Sequence, residues 1–307
     1  SRRLGPETVT AVKWIESGIR EPFYVHFYWH WPHLPYGDRK VDLPEDFLDD
    51  TVEYEPFPTD SPSEVDSIRQ NREKYDSDIY YTDIQIGEVL DALEKKGYME
   101  NSILIFTADH GEDLGERHRG DEPFIGHAHW LYESSVCVPL IFLFPTKELS
   151  NQKAHYPVSS VDILPTVLSL LHLPIPDTTQ GEPLFKGKLG SLGIRDELPE
   201  KRPFVYAFNC TYEEIKPNFS SLFDVKYTYH HVESTDKIEL YDILADYHST
   251  QNIVEDSPEI ANTLQNELDK WLKKYEDLLP QVRDKIHEVQ DIPDRLKEKL
   301  RALGYIK

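Results

Sequence analysis

The run Ser102–Thr107 (SILIFT) is apolar at consecutive positions and is stopped at once by Ala108-Asp109-His110. That combination admits few folds. A short unbroken apolar run is what a strand covered on both faces requires, as in the inner, parallel strands of α/β sheets. Pro139–Phe144 (PLIFLF) is a second such run, and Pro22–Trp29 (PFYVHFYW) reads as a third buried strand, bounded by the Pro-rich segment Trp31–Pro35. Between them, Ser67–Lys96 places apolar residues at Ile68, Tyr75, Ile79, Ile86, Leu90 and Leu93, the spacing of an amphipathic helix, with Gly97 suited to its C-terminal cap. Asp162–Leu171 reads as a helix with Pro165 in its first turn, where a missing N–H costs little. Strand–helix–strand alternation predicts an α/β layer fold.

After about residue 195 the texture changes. Phe204–Phe208 and Val225–His231 read as strands, and Pro258–Tyr275 and Gln281–Leu303 as helices, which predicts a smaller α+β carboxyl-terminal subdomain over 196–307. Leu43–Ser63, rich in Pro, Asp and Glu, reads as a long surface loop.

Charge limits the partners. Acidic residues number 56 against 33 basic ones, a net charge of −23, so the basic footprint that nucleic acid or an anionic membrane needs is missing. No apolar run is long enough to span a bilayer, and no export signal opens the chain as given. Of the two cysteines, Cys137 lies in a strand-like stretch and Cys210 follows one; both read as buried thiols, which slightly favours a reducing, cytoplasmic setting. Asn209-Cys210-Thr211 and Asn218-Phe219-Ser220 match the glycosylation sequon, a pattern short enough to arise by chance.

Three histidine-bearing clusters stand at the ends of these elements. Asp109 and His110 follow the SILIF strand, and a carboxylate beside an imidazole at a strand end can ligate a divalent cation. The dipeptide alone fits a turn cap with a surface histidine better than a ligand pair. His33 lies between Pro32 and Pro35, which would hold its ring in one orientation. His127 and His129 lie in Gly126–Glu133 and, one residue apart, point to opposite sides of an extended segment. His118 and Arg119 could add positive charge at the same mouth. Convergence of the clusters on one edge of the sheet is the expectation that makes them a site.

SILIFTADHGEDLGERH, GHAHWLYESSVCVPLIF, VSSVDILPTVLSLLHLPIP with GEPLF, ELYDILADYHSTQNI and FYVHFYWHWPHLPY, taken in content, order and spacing, resemble the sulfatase family of the alkaline phosphatase superfamily from about residue 8 to residue 275. The resemblance implies an alkaline-phosphatase-like, mostly parallel sheet flanked by helices, with residues 1–195 forming part of the catalytic domain. It implies metal-dependent hydrolysis of sulfate esters, with a phosphodiesterase or phosphoglycerol transferase of the same superfamily, or a non-catalytic degenerate homologue, as the alternatives. Asp109 and His110 match the family's metal ligands, Ca2+ ahead of Mg2+, Mn2+ or Zn2+. His33 matches the histidine that bonds the sulfate oxygens, and His127, ahead of His129, falls where members put a Lys or His against the same oxyanion. The partner implied is a small-molecule or saccharide sulfate or phosphate ester.

There are departures. No C-x-P-S-R, the nucleophile motif, occurs among the 307 residues, and neither do the family's amino-terminal Asp-Asp ligands. Both lie upstream in the family, so the chain is expected to correspond to its carboxyl-terminal two-thirds: a fragment, a sequence read in part, or a homologue that has lost catalysis. Cys137 stands where an Arg is common, and Asp246-Tyr247 replaces Asp-Pro.

Overall fold

The computed structural model describes residues 4–37, 61–119, 122–127, 130–145, 149, 151–187, 191–194, 204–210, 217–233 and 235–288. Helix α1 spans Pro6–Glu16, with its proline in the first turn. Helix α2 spans Pro62–Lys95 and starts earlier than its apolar spacing suggested, because Ser61 and Glu64 form a reciprocal capping box: Ser61 N–H donates to Glu64 Oε2 at 2.6 Å. Gly97, at φ 74, ends it. Most of the Leu43–Ser63 loop reading lies outside the described residues.

Ile15 of α1 and Val89, Ala92 and Leu93 of α2 form one core, against which Phe23, Phe27 and Trp29 pack. The segment Pro22–Trp29 is extended, but no strand is assigned to it among the described residues, and Tyr24 on its other face is 89 % exposed. The expected buried strand is therefore corrected to an extended segment with one covered face. Its aromatic residues occupy both alternating sets, so the sequence could not reveal which set lacks a neighbour.

Strand β1 is Leu104–Thr107. It leads to a hairpin of β2 (Asp113–Arg119) and β3 (Glu122–Gly126), then to the short helix α3 (Glu133–Val136) and strand β4 (Leu140–Leu143). β1 and β4 pair antiparallel, with Leu104 opposite Leu143 and Thr107 opposite Leu140, and not in the parallel sense expected for Ser102–Thr107. A continuous apolar run carries nothing about the direction of its neighbour. The expected cover on both faces is also corrected: among the described residues Phe106, Ile141 and Leu143 are exposed. Cys137, just after α3, is exposed, which corrects its reading as a buried thiol. Of Cys210 only the backbone is described. Helix α4 (Ile163–Leu170) follows a 3₁₀ turn at Ser160–Asp162, and Phe185–Lys186 (β5) pairs with Gly193–Ile194 (β6).

The carboxyl-terminal part is an antiparallel sheet in the order β10-β9-β8-β7, from Val205–Cys210 (β7), Pro217–Phe223 (β8), Tyr227–Val232 (β9) and Lys237–Asp242 (β10). Leu222, Tyr229 and Leu240 of the sheet pack on Ala261, Leu264 and Leu268 of helix α5, Pro258–Glu288. Tyr206 stacks on Trp271 with ring centroids 4.7 Å apart. The helix continues through Pro280, where the sequence suggested a break, and the rest of the expected Gln281–Leu303 helix lies outside the described residues. Among the described residues no helix is long and apolar enough to cross a membrane.

The sheet's other face holds an unusual core residue. His230 is fully buried, with Nδ1 2.7 Å from Ser221 Oγ and its ring edge-on to Tyr132 at 4.7 Å. Burial pushes its imidazole down to about 3. In the unfolded chain a histidine titrates near pH 6.5, so the unfolded state takes up the proton first as the solution is acidified. His230 therefore contributes its full stability above about pH 6.5 and loses about 1.4 kcal/mol per pH unit below it, until its folded value is reached. Urea melts between pH 6.5 and 5, above the carboxylate range, should show this slope, and His230→Leu should flatten it. Equal slopes in the two proteins would assign the acid sensitivity elsewhere.

Candidate active site

The candidate residues sit where elements end. Asp109 and His110 leave β1, and the His110 N–H donates to Asp109 Oδ1 at 3.1 Å. The Nδ1–H of His110 donates to the Gly111 carbonyl at 2.8 Å, and its Nε2 lies 3.8 Å from Asp109 Oδ1. A carbonyl only accepts, so this contact fixes the proton on Nδ1 and leaves Nε2 with a lone pair in the neutral ring. His33 is set the same way, its Nδ1–H donating to the Leu34 carbonyl at 2.7 Å.

His127 follows β3 and lies on top of His110, with ring centroids 3.8 Å apart and planes 25° from parallel. Its other neighbour is His33, edge-on at 5.5 Å, and His33 in turn stacks on His30 at 4.6 Å. Four imidazoles thus form a row in the order His30, His33, His127, His110, with Asp109 at its end. The structure brings together His33, Asp109, His110 and His127, which sequence separation of up to about ninety residues had kept apart. His129 lies outside the described residues, as do the side chains of His118 and Arg119.

Two residues of this constellation carry no role that the sequence assigns. His30 stands just after the aromatic run Pro22–Trp29. Glu112, three positions after Asp109, carries a carboxylate that is 2 % exposed and lies 3.2 Å from His127 Nδ1. Its place in the D-H-G-E string was the available signal.

The backbone here is held from behind. Gly111 N–H donates to the Ser135 carbonyl and Glu112 N–H to that of Ser134, both at 2.8 Å, and the buried Asp113 carboxylate accepts from Ser134 and Ser135 hydroxyls. Burial raises the Asp113 carboxyl above the ordinary range, against the two serine hydrogen bonds that lower it. Behind α3, Glu133 is buried and accepts from Thr228 Oγ1 at 2.6 Å and Ser249 Oγ at 2.8 Å. Tyr132 donates to Glu239 Oε2 at 2.5 Å, while Arg117 lies 3.9 Å over the Tyr132 ring and donates to the His248 and Ser249 carbonyls, each at 2.9 Å. The strands and turns of the carboxyl-terminal sheet thereby grip the segment that carries His127.

As a cation site the described residues are incomplete. Asp109 and His110 are chemically suitable ligands, yet no cluster of three or more His, Cys, Asp or Glu able to hold a metal occurs among the described residues. A hard divalent cation such as Ca2+ takes six to eight oxygen-rich ligands. The two residues could supply part of such a set and do not form one by themselves.

The mixture of helices and strands is consistent with an alkaline-phosphatase-like α/β fold, the fold of the solved sulfatases that this chain resembles. Within that class, the Sulfatase family profile matches residues 7–173, and a second profile, the N-sulphoglucosamine sulphohydrolase C-terminal region, matches residues 127–277. The chain belongs to the sulfatase family. It is 28 % identical over 256 residues to an ulvan-active sulfatase of Formosa agariphila, covering 79 % of this chain and 45 % of that one. To an endo-4-O-sulfatase of Bacteroides thetaiotaomicron it is 28 % identical over 286 residues, 85 % of this chain and 54 % of the relative. The chain spans about half the length of these relatives. Among solved structures, a 2-O GAG sulfatase superposes with a TM-score of 0.67 at 20 % identity over 90 % of this chain and 64 % of its own, a likeness of fold.

Proposed function

We propose that the whole protein hydrolyses sulfate esters of saccharides, with the histidine row as the part of the site that receives the sulfate oxygens. The observation that carries this reading is the convergence of His33, His110, His127 and Asp109 in a chain of this family. A sulfate ester carries its negative charge on oxygens that accept hydrogen bonds, and positioned donors act on it most strongly where water is scarce. His33 and His127, or His129 in place of the latter, are the proposed partners of those oxygens. Since Nδ1–H of His33 and His127 is already given to Leu34 and Glu112, each would donate through Nε2–H of the doubly protonated ring. In a protein with a net charge of −23, protonated imidazoles are also a local means of drawing in an anion against the global field.

Asp109 and His110 are proposed as two ligands of a divalent cation, Ca2+ ahead of Mg2+, Mn2+ or Zn2+. When bound, such a cation supplies Lewis acidity toward a sulfate oxygen. The attack on sulfur is assigned to no residue here, since no C-x-P-S-R occurs among the 307 residues. The site belongs in this reading to a catalytic domain over residues 1–195, with 196–307 as its support. Saccharide esters are preferred as substrates because the relatives named above are described as acting on ulvan or at the 4-O position, and the structural neighbour as a GAG sulfatase.

Assay of the whole protein on an aryl sulfate against an aryl phosphodiester tests the reading. We expect turnover of the sulfate, lowered at least about 100-fold by His127→Ala, the usual size for loss of an oxyanion-stabilising donor. A strong preference for the diester would assign the site to phosphoryl chemistry instead.

A further inference from the structure

We propose that Glu112 is the positioning residue of the site: its buried carboxylate accepts the Nδ1–H of His127 and so fixes which ring nitrogen His127 turns toward a bound ester. This rests on the reading that His127 meets the ester oxygens, and it assigns a residue to which that reading gives no role.

The contact is close on both oxygens, with Nδ1 at 3.2 Å from Oε1 and 3.4 Å from Oε2. A carboxylate oxygen accepts from an imidazole N–H, so Nδ1 carries the proton. Ring geometry then directs Nε2 away from Glu112, and Nε2 donates to an ester oxygen only when the ring carries a second proton there. Stacking on His110 on one face and the edge contact with His33 leave the ring little freedom to turn. An imidazole held in one tautomer and one orientation by a carboxylate behind it is how enzymes present a histidine nitrogen to a reacting group.

Glu112 itself is placed by the backbone. Its N–H is bonded to the Ser134 carbonyl and that of Gly111 to Ser135, so the carboxylate leaves a segment that cannot shift without breaking two hydrogen bonds. Tyr36 and Tyr75 lie within reach of its charge. Burial first, and then the Glu112 charge, raise both phenols, Tyr75 to about 12.

A purely structural ion pair is the competing account, and the surroundings argue against it. The nearby guanidiniums are committed elsewhere: Arg72 binds Glu116 Oε1 at 2.7 Å and the Leu114 carbonyl at 3.0 Å, and Arg117 binds the His248 and Ser249 carbonyls. A carboxylate that is 2 % exposed meets instead an imidazole 25 % exposed, in the row that includes His110 and His33. Burying a charge for stability alone gains little when one partner remains partly wet.

The test uses the whole protein in three forms: unaltered, Glu112→Leu and Glu112→Gln. Nitrogen-15 NMR of His127, assigned with His127→Asn and recorded where the imidazole is neutral, reads the tautomer directly. We expect the Nδ1–H form in the unaltered protein, a mixture or the Nε2–H form in Glu112→Leu, and recovery in Glu112→Gln, whose amide oxygen still accepts. Aryl-sulfate kinetics should show kcat lowered at least about 10-fold in Glu112→Leu with a smaller change in KM, and partial recovery in Glu112→Gln. An unchanged tautomer in Glu112→Leu, or an unchanged kcat beside normal turnover of the unaltered protein, would overturn the assignment. Absence of turnover in the unaltered protein would instead overturn the sulfatase reading, while the NMR comparison would still decide the role of Glu112.

Discussion

Gly111→Ala should destabilise the protein by about 3 kcal/mol or more and disorder the histidine row, because the added methyl group has nowhere to go. A Cβ at this position would stand 2.0 Å from the Ser134 carbonyl oxygen. That oxygen cannot move aside cheaply, since it already accepts the Glu112 N–H at 2.8 Å. Any relief must separate residues 111–112 from 134–135, and both Asp109-His110 and Glu112 are carried on that segment. Gly87→Ala is the matched control: in the middle of α2, nothing lies within 4 Å of its added Cβ. It should gain up to about 1 kcal/mol from helix propensity. Urea unfolding of the two variants beside the unaltered protein decides, and an unshifted midpoint for Gly111→Ala would mean that the close backbone approach is not as described.

The second large effect concerns the 307-residue chain by itself. Phe106 on β1 and Ile141 and Leu143 on β4 are 38 %, 50 % and 44 % exposed, and Leu164 and Leu171 around α4 are 57 % and 53 % exposed. Apolar residues exposed in such numbers on neighbouring elements drive association, and a two-stranded ladder offers open edges for it. Expressed alone, the chain should therefore sediment as oligomers or aggregate despite its net charge of −23. Ile141→Lys combined with Leu143→Lys should raise the monomer fraction several-fold by placing charge on that face. We also expect no aryl-sulfate turnover above background from this chain, because groups that act as a unit contribute little when the attacking member is absent. A monodisperse monomer with measurable turnover would contradict both expectations and would require a nucleophile among these residues.

Much of this was legible beforehand, for physical reasons that differ by element. Helix α2 announced itself through apolar spacing and Gly97, because a helix half-buried along one stripe must repeat its apolar residues. The gathering of Asp109, His110 and His127 followed from their positions at the ends of β1 and β3, while His33 joins them from a segment to which no strand is assigned. The hairpin β2–β3 was not legible: its first strand, Asp-Leu-Gly-Glu-Arg-His-Arg, has no alternating apolar face and is held by pairing across a register shift between Leu114 and Arg117. The pairing sense of β1 was hidden because an unbroken apolar run looks the same for either direction. Glu112 escaped because its importance lies in one contact across fifteen residues of chain, which composition cannot display. Pro280 misled in the opposite direction, marking a break that α5 does not make.

The grip on the His127 segment also sets a schedule for making the protein. Glu133 is separated from Ser249 by 116 residues, and Arg117 from the same serine by 132. At a synthesis rate of about 5–20 residues per second, roughly 6 to 23 seconds pass between the addition of Glu133 and of its partner. During that interval the nascent chain carries Glu133 and Arg117 without the hydroxyls and carbonyls that later bond to them. The contacts within the histidine row itself join residues made earlier, so a translation product ending before Ser249 would leave the ribosome with the row's own residues present and the support at Arg117 and Glu133 missing.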